Sequence, residues 1–410
     1  LHRSAIPIHF YNICLSIRAN KEKRMRVGYF AQNYGVVSNP QTMNIDQLMH
    51  HTGHNTGNLA FWYGANLLFD ADEQVLINWG HKAAQLKDKI DLLVIPAANF
   101  LNETSNLEAQ AKLIEELDVP VILIGIGAQS ETFSKLTPLS EGTQRFLKVV
   151  AEHTPFIGVR GEYSAELCRH YGVDNVEVLG CPSVLINASK ILGETIEARL
   201  HRPVSQLLVH ACCLKGPLLK TEATLFNALQ QYSSRYIVQR PPELIKAILG
   251  LELNAVDQAY LEKFRGHVAG KLDTEQFLAI LKDKGESYMS VPEWLSRMRG
   301  FSHAIGTRIH GTLLPLAAGV PSVCIYQDTR TDELSDTLQI PRISYKAFNK
   351  ECSNLLGRSR KVVDFNPIFE NVDFSGVEFD KKRQYIASRY VELFSRQDLK
   401  ASKHLEMMAE

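Results

Sequence analysis

Residues 91–127 read DLLVIPAANFLNETSNLEAQAKLIEELDVPVILIGIG. Two apolar runs, 91–96 and 120–126, flank a helical stretch at 106–117. Near-continuous apolar strands joined by a helix belong to a parallel sheet covered on both faces. The pattern extends outward from this unit. Strands are expected at 26–31, 74–78, 155–160 and 176–180, and helices at 58–69, 141–152 and 162–171. That is a doubly wound α/β domain. A polar stretch without strands, 187–206, crosses to a second unit that restarts the pattern. Its strands are expected at 207–211, 235–239, 301–306 and 322–326, with helices at 221–232, 242–249 and inside 309–318, and a long polar helical section at 254–284. A terminal helix is expected at 381–400. The predicted organisation is an extension (1–24), two domains in tandem (25–190 and 191–380) and a C-terminal helix (381–410). Such folds bind ligands at the carboxyl ends of their strands, here at the cleft between the domains.

Composition narrows the function classes. In 410 residues, 45% hydrophobic and 22% charged content excludes a disordered or collagen-like chain. Lys plus Arg and Asp plus Glu number 45 each, so no global field draws nucleic acid or an anionic membrane. An anionic ligand needs locally clustered cations. Seven cysteines, an odd number, suit reduced thiols in a cytoplasmic protein, and the adjacent Cys212 and Cys213 read as strand packing. The longest apolar runs, 119–128 and 312–326, are short or broken by Pro315 and Pro321, so no membrane span is expected. With Pro7, His9 and Asn12 in its apolar part, 1–24 makes a poor signal peptide, and Met25 reads as a more natural start.

Several common motifs are absent. Gly125-Ile126-Gly127-Ala128-Gln129-Ser130 follows a strand but lacks the third glycine of a dinucleotide fingerprint; it reads as a tight turn or a ligand loop. His50, His51 and His54 have neither a cysteine partner nor a His-Glu-x-x-His context, and no metal site is expected. The richest segment is Gly306-Thr307-Arg308-Ile309-His310-Gly311-Thr312, where a strand hands over to a helix and free N–H groups face any anion. If the junction is extended, Arg308 and His310 share one side and Ile309 turns into the core. The plainer reading is a capping Thr307, a surface Arg308 and a packed His310. Arg160 ends a strand before a helix starting near Glu162, so it faces the cleft or pairs with Glu162 or another acidic neighbour. In Asn55-Thr56-Gly57-Asn58 an asparagine either caps the next helix or binds a polar ligand.

Three blocks in this order, Asn55 to Asn58, Gly158-Val159-Arg160-Gly161-Glu162-Tyr163-Ser164, and Gly306 to Gly311 running into Ala318-Gly319-Val320-Pro321, make the chain resemble the polysaccharide pyruvyl transferase family over about 55–341. The resemblance implies a GT-B-like pair of Rossmann-like domains. It implies transfer of pyruvate from phosphoenolpyruvate to two hydroxyls of a sugar or lipid-linked oligosaccharide as a cyclic ketal, with no resident cofactor. Arg160, Arg308 and His310 are the implied functional positions. Asn55, Gly57, Asn58, Asn99, Gly127, Thr307 and Arg330 are the expected substrate-binding residues. Four positions depart from the family pattern: Asn58 replaces an Asp, Cys181-Pro182 an Asp-Pro pair, Ala97-Ala98-Asn99 a glycine triplet, and Arg330 a common Lys. Arginine forks suit the carboxylate and phosphate of the donor, and His310 is the expected acid–base group because histidine titrates near neutrality. A nucleotide-sugar glycosyltransferase and a catalytically silent glycan-binding relative stand as alternatives.

Overall fold

A computed structural model describes residues 24–130, 133–211, 214, 216–359 and 363–410. The expectations for the extension (1–23) and for Cys212 and Cys213 lie outside the described residues. The first domain is built on β1 (Arg26–Phe30), β2 (Phe69–Asp70), β3 (Glu73–Ile77), β4 (Leu92–Pro96), β5 (Val121–Ile124), β6 (Ile157–Val159) and β7 (Val176–Val178). Strands β3-β1-β4-β5 pair in parallel. A bridge from Ile126 to Val159, with the Arg160 N–H donating to the Ile126 carbonyl at 2.9 Å, carries the sheet into the parallel pair β6-β7. Every residue of β4 and β5 is buried, as a sheet covered on both faces requires.

The second domain contains β8 (Gln206–His210), β9 (Ser233–Ile237), β10 (Gly285–Glu286), β11 (His303–Gly306), β12 (Ser322–Tyr326) and β13 (Arg342–Ser344). All are parallel, in the order β10-β9-β8-β11-β12-β13. This is the doubly wound order whose direction reverses between β8 and β11, the switch point at which such sheets bind ligands. The chain is thus two Rossmann-like domains in tandem, a GT-B-like architecture.

The structure differs from the sequence reading in several places, among them helices at Ile45–His51, Val291–Met298, Thr329–Thr337 and Tyr345–Ser359 that the reading did not place. The 187–206 crossing contains a helix, Leu192–Leu200, because Leu192, Ile196 and Leu200 recur every four residues and are all buried. The 254–284 section is two helices, Ala255–Val268 and Thr274–Lys284, the second opened by a capping box of Asp273 with Gln276. Two-residue strands such as β10 carry too little pattern to be legible. The long helix expected at 381–400 is Gly376–Ser395, starting where Ser375 accepts from the Glu378 N–H, and a shorter helix, Lys403–Ala409, follows it. The long helix returns to the first domain: Arg383 donates to the carbonyls of Val184, Asn187 and Ser189, and β14 (Lys400–Ala401) pairs antiparallel with β2. One apolar cluster crosses the interface through Phe61, Trp62, Leu185, Trp294, Leu313 and Tyr390, packing both sheets into one body.

Candidate active site

The site begins with a close approach. At Gly306, the last residue of β11, a Cβ would stand 1.7 Å from the His210 carbonyl oxygen; at Gly311 it would stand 2.5 Å from His210 Cγ. The two glycines of the motif therefore accommodate His210, the last residue of β8. Its Nδ1 faces the Arg308 N–H at 3.3 Å and its Nε2 is buried without a partner. Burial first, and the Arg308 charge second, push its pKa down to about 3. Gly306→Ala forces the strand ends apart and is expected to destabilise the fold by about 1–3 kcal/mol in denaturant titration. An unchanged midpoint would show that β8 and β11 separate freely.

The junction is extended only as far as Arg308 (φ −108°, ψ 118°). The helix Ile309–Ala317 starts at once, with Arg308 as its flanking residue. Because the chain turns helical at Ile309, the two-residue strand alternation is broken between Arg308 and His310, and the two side chains diverge. Ile309 is half-buried, and His310 is buried instead. The Arg308 Nε donates to the Ala211 carbonyl at 3.0 Å on the β8 side. Thr307 does not cap the helix: its hydroxyl donates to the buried Glu222 carboxylate at 3.2 Å. No side chain caps the first turn.

His310 turns toward the first domain. Its ring lies 5.9 Å from the Phe61 ring, and its Nε2 lies 3.7 Å from the Cys181 thiol. Burial, then the Arg160 and Arg330 charges, push its pKa down to about 3. This corrects the expectation of a near-neutral imidazole: in the free protein His310 is uncharged throughout the physiological range.

Arg160 follows directly on β6 and is 3% exposed. It donates to the Gly125 carbonyl at 2.9 Å, the Asn99 Oδ1 at 2.9 Å and the Ala97 carbonyl at 3.4 Å. Gly127 lies under its aliphatic stem, where a Cβ would come within 2.5 Å of Arg160 Cδ. Glu162 pairs with Arg169 at 2.9 Å, so the expected alternative of an Arg160–Glu162 salt bridge fails. Among the described residues Arg160 forms no ion pair, and burial lowers its pKa. From the other domain, Arg330 pairs with Asp328 at 3.2 Å, while its Nε is buried without a partner among the described residues.

The asparagine loop docks across the interface. The Thr56 N–H donates to the Gln239 carbonyl at 3.1 Å, and Gly57 faces the Gln239 side chain. Asn55 accepts from the Gly57 N–H at 3.0 Å, while Asn58 donates to the carbonyls of Thr52 (3.0 Å) and Gly53 (3.1 Å). Neither caps the helix Asn58–Asn66. The structure therefore brings Arg160, Asn99, Gly127, His310 and Arg330 together. Arg308 and Thr307 stand at the β8–β11 switch with His210 and Glu222.

Sequence reasoning missed His210, Cys181 and Glu333. Glu333 is buried and accepts the Ser164 N–H at 2.7 Å and hydroxyl at 3.1 Å across the interface; burial pushes its carboxyl up to about 7. It also lines a cavity of about 940 Å³ with Glu166, Arg342 and Tyr385, in which Arg342 is already paired with Asp332 and Asp336. Among the described residues no group of three His, Cys, Asp or Glu side chains is placed to hold a metal ion, and no helix is long and apolar enough to cross a membrane.

Two Rossmann-like halves meeting over an Arg–His–Arg cluster, with Arg160 and His310 buried and Arg330 half-buried, define a GT-B-like, two-domain protein. The polysaccharide pyruvyl transferase family model matches residues 10–329, and the chain belongs to that family. No curated protein matches it. Among solved structures, it is similar to the Neisseria meningitidis UDP-GlcNAc 2-epimerase bound to UDP-GlcNAc (10% identity, TM-score 0.43, 90% of this chain and 100% of that one). A similar likeness links it to the Methanocaldococcus jannaschii UDP-GlcNAc 2-epimerase in complex with UDP-GlcNAc and UDP (13%, 0.43, 91% and 100%). Anabaena Alr3699/HepE in complex with UDP and glucose is a third such structure (11%, 0.43, 91% and 100%).

Proposed function

We propose that the chain transfers the pyruvyl group of phosphoenolpyruvate to two hydroxyls of one sugar in an exopolysaccharide precursor, releasing phosphate and forming a cyclic ketal. The observation that carries this reading is a cation pair drawn from both domains: buried Arg160 and half-buried Arg330 both act on His310, and among the described residues Arg160 donates only to carbonyl and amide oxygens. A ligand bearing both a carboxylate and a phosphate suits two guanidinium forks. The uncapped first turn of the helix Ile309–Ala317 offers further N–H donors to the phosphate.

An anion between Arg160 and Arg330 offsets their repulsion of a proton on His310. Donor binding therefore raises the imidazole pKa and draws a proton onto it, while burial still opposes charge. The imidazolium gives that proton to the methylene carbon, forming the methyl group and leaving positive charge at the adjacent carbon. A sugar hydroxyl adds there, and its proton returns to His310. The bond to phosphate breaks, and the second hydroxyl closes the ring. Of the two hydroxyl protons, one ends in the methyl group and one on phosphate, so no oxidant or reductant is needed. The acceptor is a sugar or lipid-linked oligosaccharide with vicinal or 4,6-related hydroxyls, met in the cytoplasm or at the membrane surface.

Phosphoenolpyruvate at 100 times its dissociation constant is expected to stabilise the fold by about 2.7 kcal/mol, and phosphate release is expected to require sugar. A thermal shift with a nucleotide sugar and none with millimolar phosphoenolpyruvate would instead favour a glycosyltransferase. Because Lys lacks the planar fork, Arg308→Lys is expected to lower the specificity constant for phosphoenolpyruvate about tenfold or more. Unchanged kinetics would remove Arg308 from donor binding.

A further inference from the structure

Beyond the carboxyl ends of β1, β3 and β4 lies a cavity of about 210 Å³. Phe30, Phe61, Trp62, Trp79 and Phe100 supply its aromatic walls, Gln32, Asn58 and Asn78 its amides, and among the described residues no charged side chain lines it. Of its two tryptophans, Trp79 is 49% exposed and free to stack on a ligand, whereas Trp62 is 7% exposed and packed into the wall. Edge contacts to Phe30 (5.1 Å between ring centres) and Phe100 (5.7 Å) hold the indole in place at the cavity. Phe61 links this cavity to the reacting centre, its ring 5.9 Å from that of His310. Asn58 spends its Nδ2 on the Thr52 and Gly53 carbonyls, which leaves its Oδ1 to accept from a ligand hydroxyl.

A rigid aromatic surface beside amides, without charge, is the chemistry that recognises a pyranose: apolar C–H faces stack on the ring and hydroxyls bond the amides. It is the opposite of the Arg–His–Arg cluster, which suits an anion. Asn58, where the family pattern has Asp, keeps the lining neutral. We propose that this cavity binds a neutral pyranose unit of the acceptor, stacked on Trp79 and hydrogen-bonded by Asn58 and Asn78. Its role as acceptor site rests on the reaction proposed above; its affinity for sugar does not.

Tryptophan fluorescence tests the site without any donor. Methyl glycosides of the common hexoses and N-acetylhexosamines are titrated into the full chain, with UMP as a comparison. At least one glycoside is expected to give a saturable change that is lost in Trp79→Phe. In the phosphate-release assay, Trp79→Ala is expected to raise the acceptor KM about tenfold or more. The phosphoenolpyruvate thermal shift should be kept. A glycoside response that depends on Trp79, in a protein that does not use phosphoenolpyruvate, would uphold the sugar site and sink only the proposed reaction. No response from any glycoside, the same response in Trp79→Phe, a response to UMP alone, or an unchanged acceptor KM in Trp79→Ala would overturn the assignment.

Discussion

His310→Ala is expected to reduce turnover about 100- to 10,000-fold, the usual worth of general acid–base catalysis, with folding and phosphoenolpyruvate binding retained. His310→Gln should not rescue it, because an amide forms hydrogen bonds but does not exchange a proton at these pH values. The pH profiles separate this role from a packing role. The kcat/KM profile reports the free enzyme, where burial and two guanidinium groups hold His310 at about 3, so His310 should contribute no limb near 6.5 there. The kcat profile reports the complex, in which the donor's charge offsets the guanidinium groups, and its histidine limb should move up toward neutrality. Stability follows the same logic with a definite sign. The unfolded imidazole takes up a proton below about 6.5, whereas the folded one stays neutral to about 3, so acidification through that window favours unfolding. His310→Gln should flatten the loss of stability with falling pH, and His210, also held at about 3, should account for a comparable share. A Gln variant with near-normal turnover would leave His310 as a positioning residue only.

Arg160→Met should lower kcat/KM for phosphoenolpyruvate by about 100-fold or more, since two charged hydrogen bonds at about 1.5–3 kcal/mol each are lost together. The cation is buried, so neither water nor a surface lysine takes its place. Folding should survive. The variant gives up hydrogen bonds to Gly125, Asn99 and Ala97 but also the cost of burying a charge, and these oppose one another. Removing Arg160 also takes away one of the two charges that depress His310, so the His310 pKa of the free variant should rise, a change that histidine NMR titration reads directly. A variant with wild-type kinetics would show that Arg160 only braces the β4 and β5 loops.

Much of this was legible in the sequence because parallel strands are continuously apolar. The segment at 91–127 shows β4, a helix and β5 almost as they stand, and the glycine-flanked Arg308-Ile309-His310 marks the switch point of the second sheet. What stayed hidden depends on contacts between distant residues. His210 looked like the end of a strand until β8 and β11 paired, and only then do Gly306 and Gly311 have a reason to be glycine. Cys181 was visible as a departure from Asp-Pro, yet its place against His310 spans 129 positions in the chain. Glu333 meets Ser164 across the domain interface, 169 positions away, and a single Glu in a polar helix carries no local mark of burial. Arg308 and His310 were expected to converge under strand periodicity, but the helix begins one residue earlier than that reading required, sending them to different domains.

The most direct measurement is proton NMR of the product formed in D2O from phosphoenolpyruvate and an acceptor sugar by the purified protein. Pyruvyl transfer through His310 should give a ketal whose methyl group carries one deuterium, one phosphate released per ketal, and both products formed about 100- to 10,000-fold more slowly by His310→Ala. Phosphoenolpyruvate recovered unchanged under conditions where a nucleotide sugar is turned over, or a ketal formed equally well by His310→Ala, would contradict it.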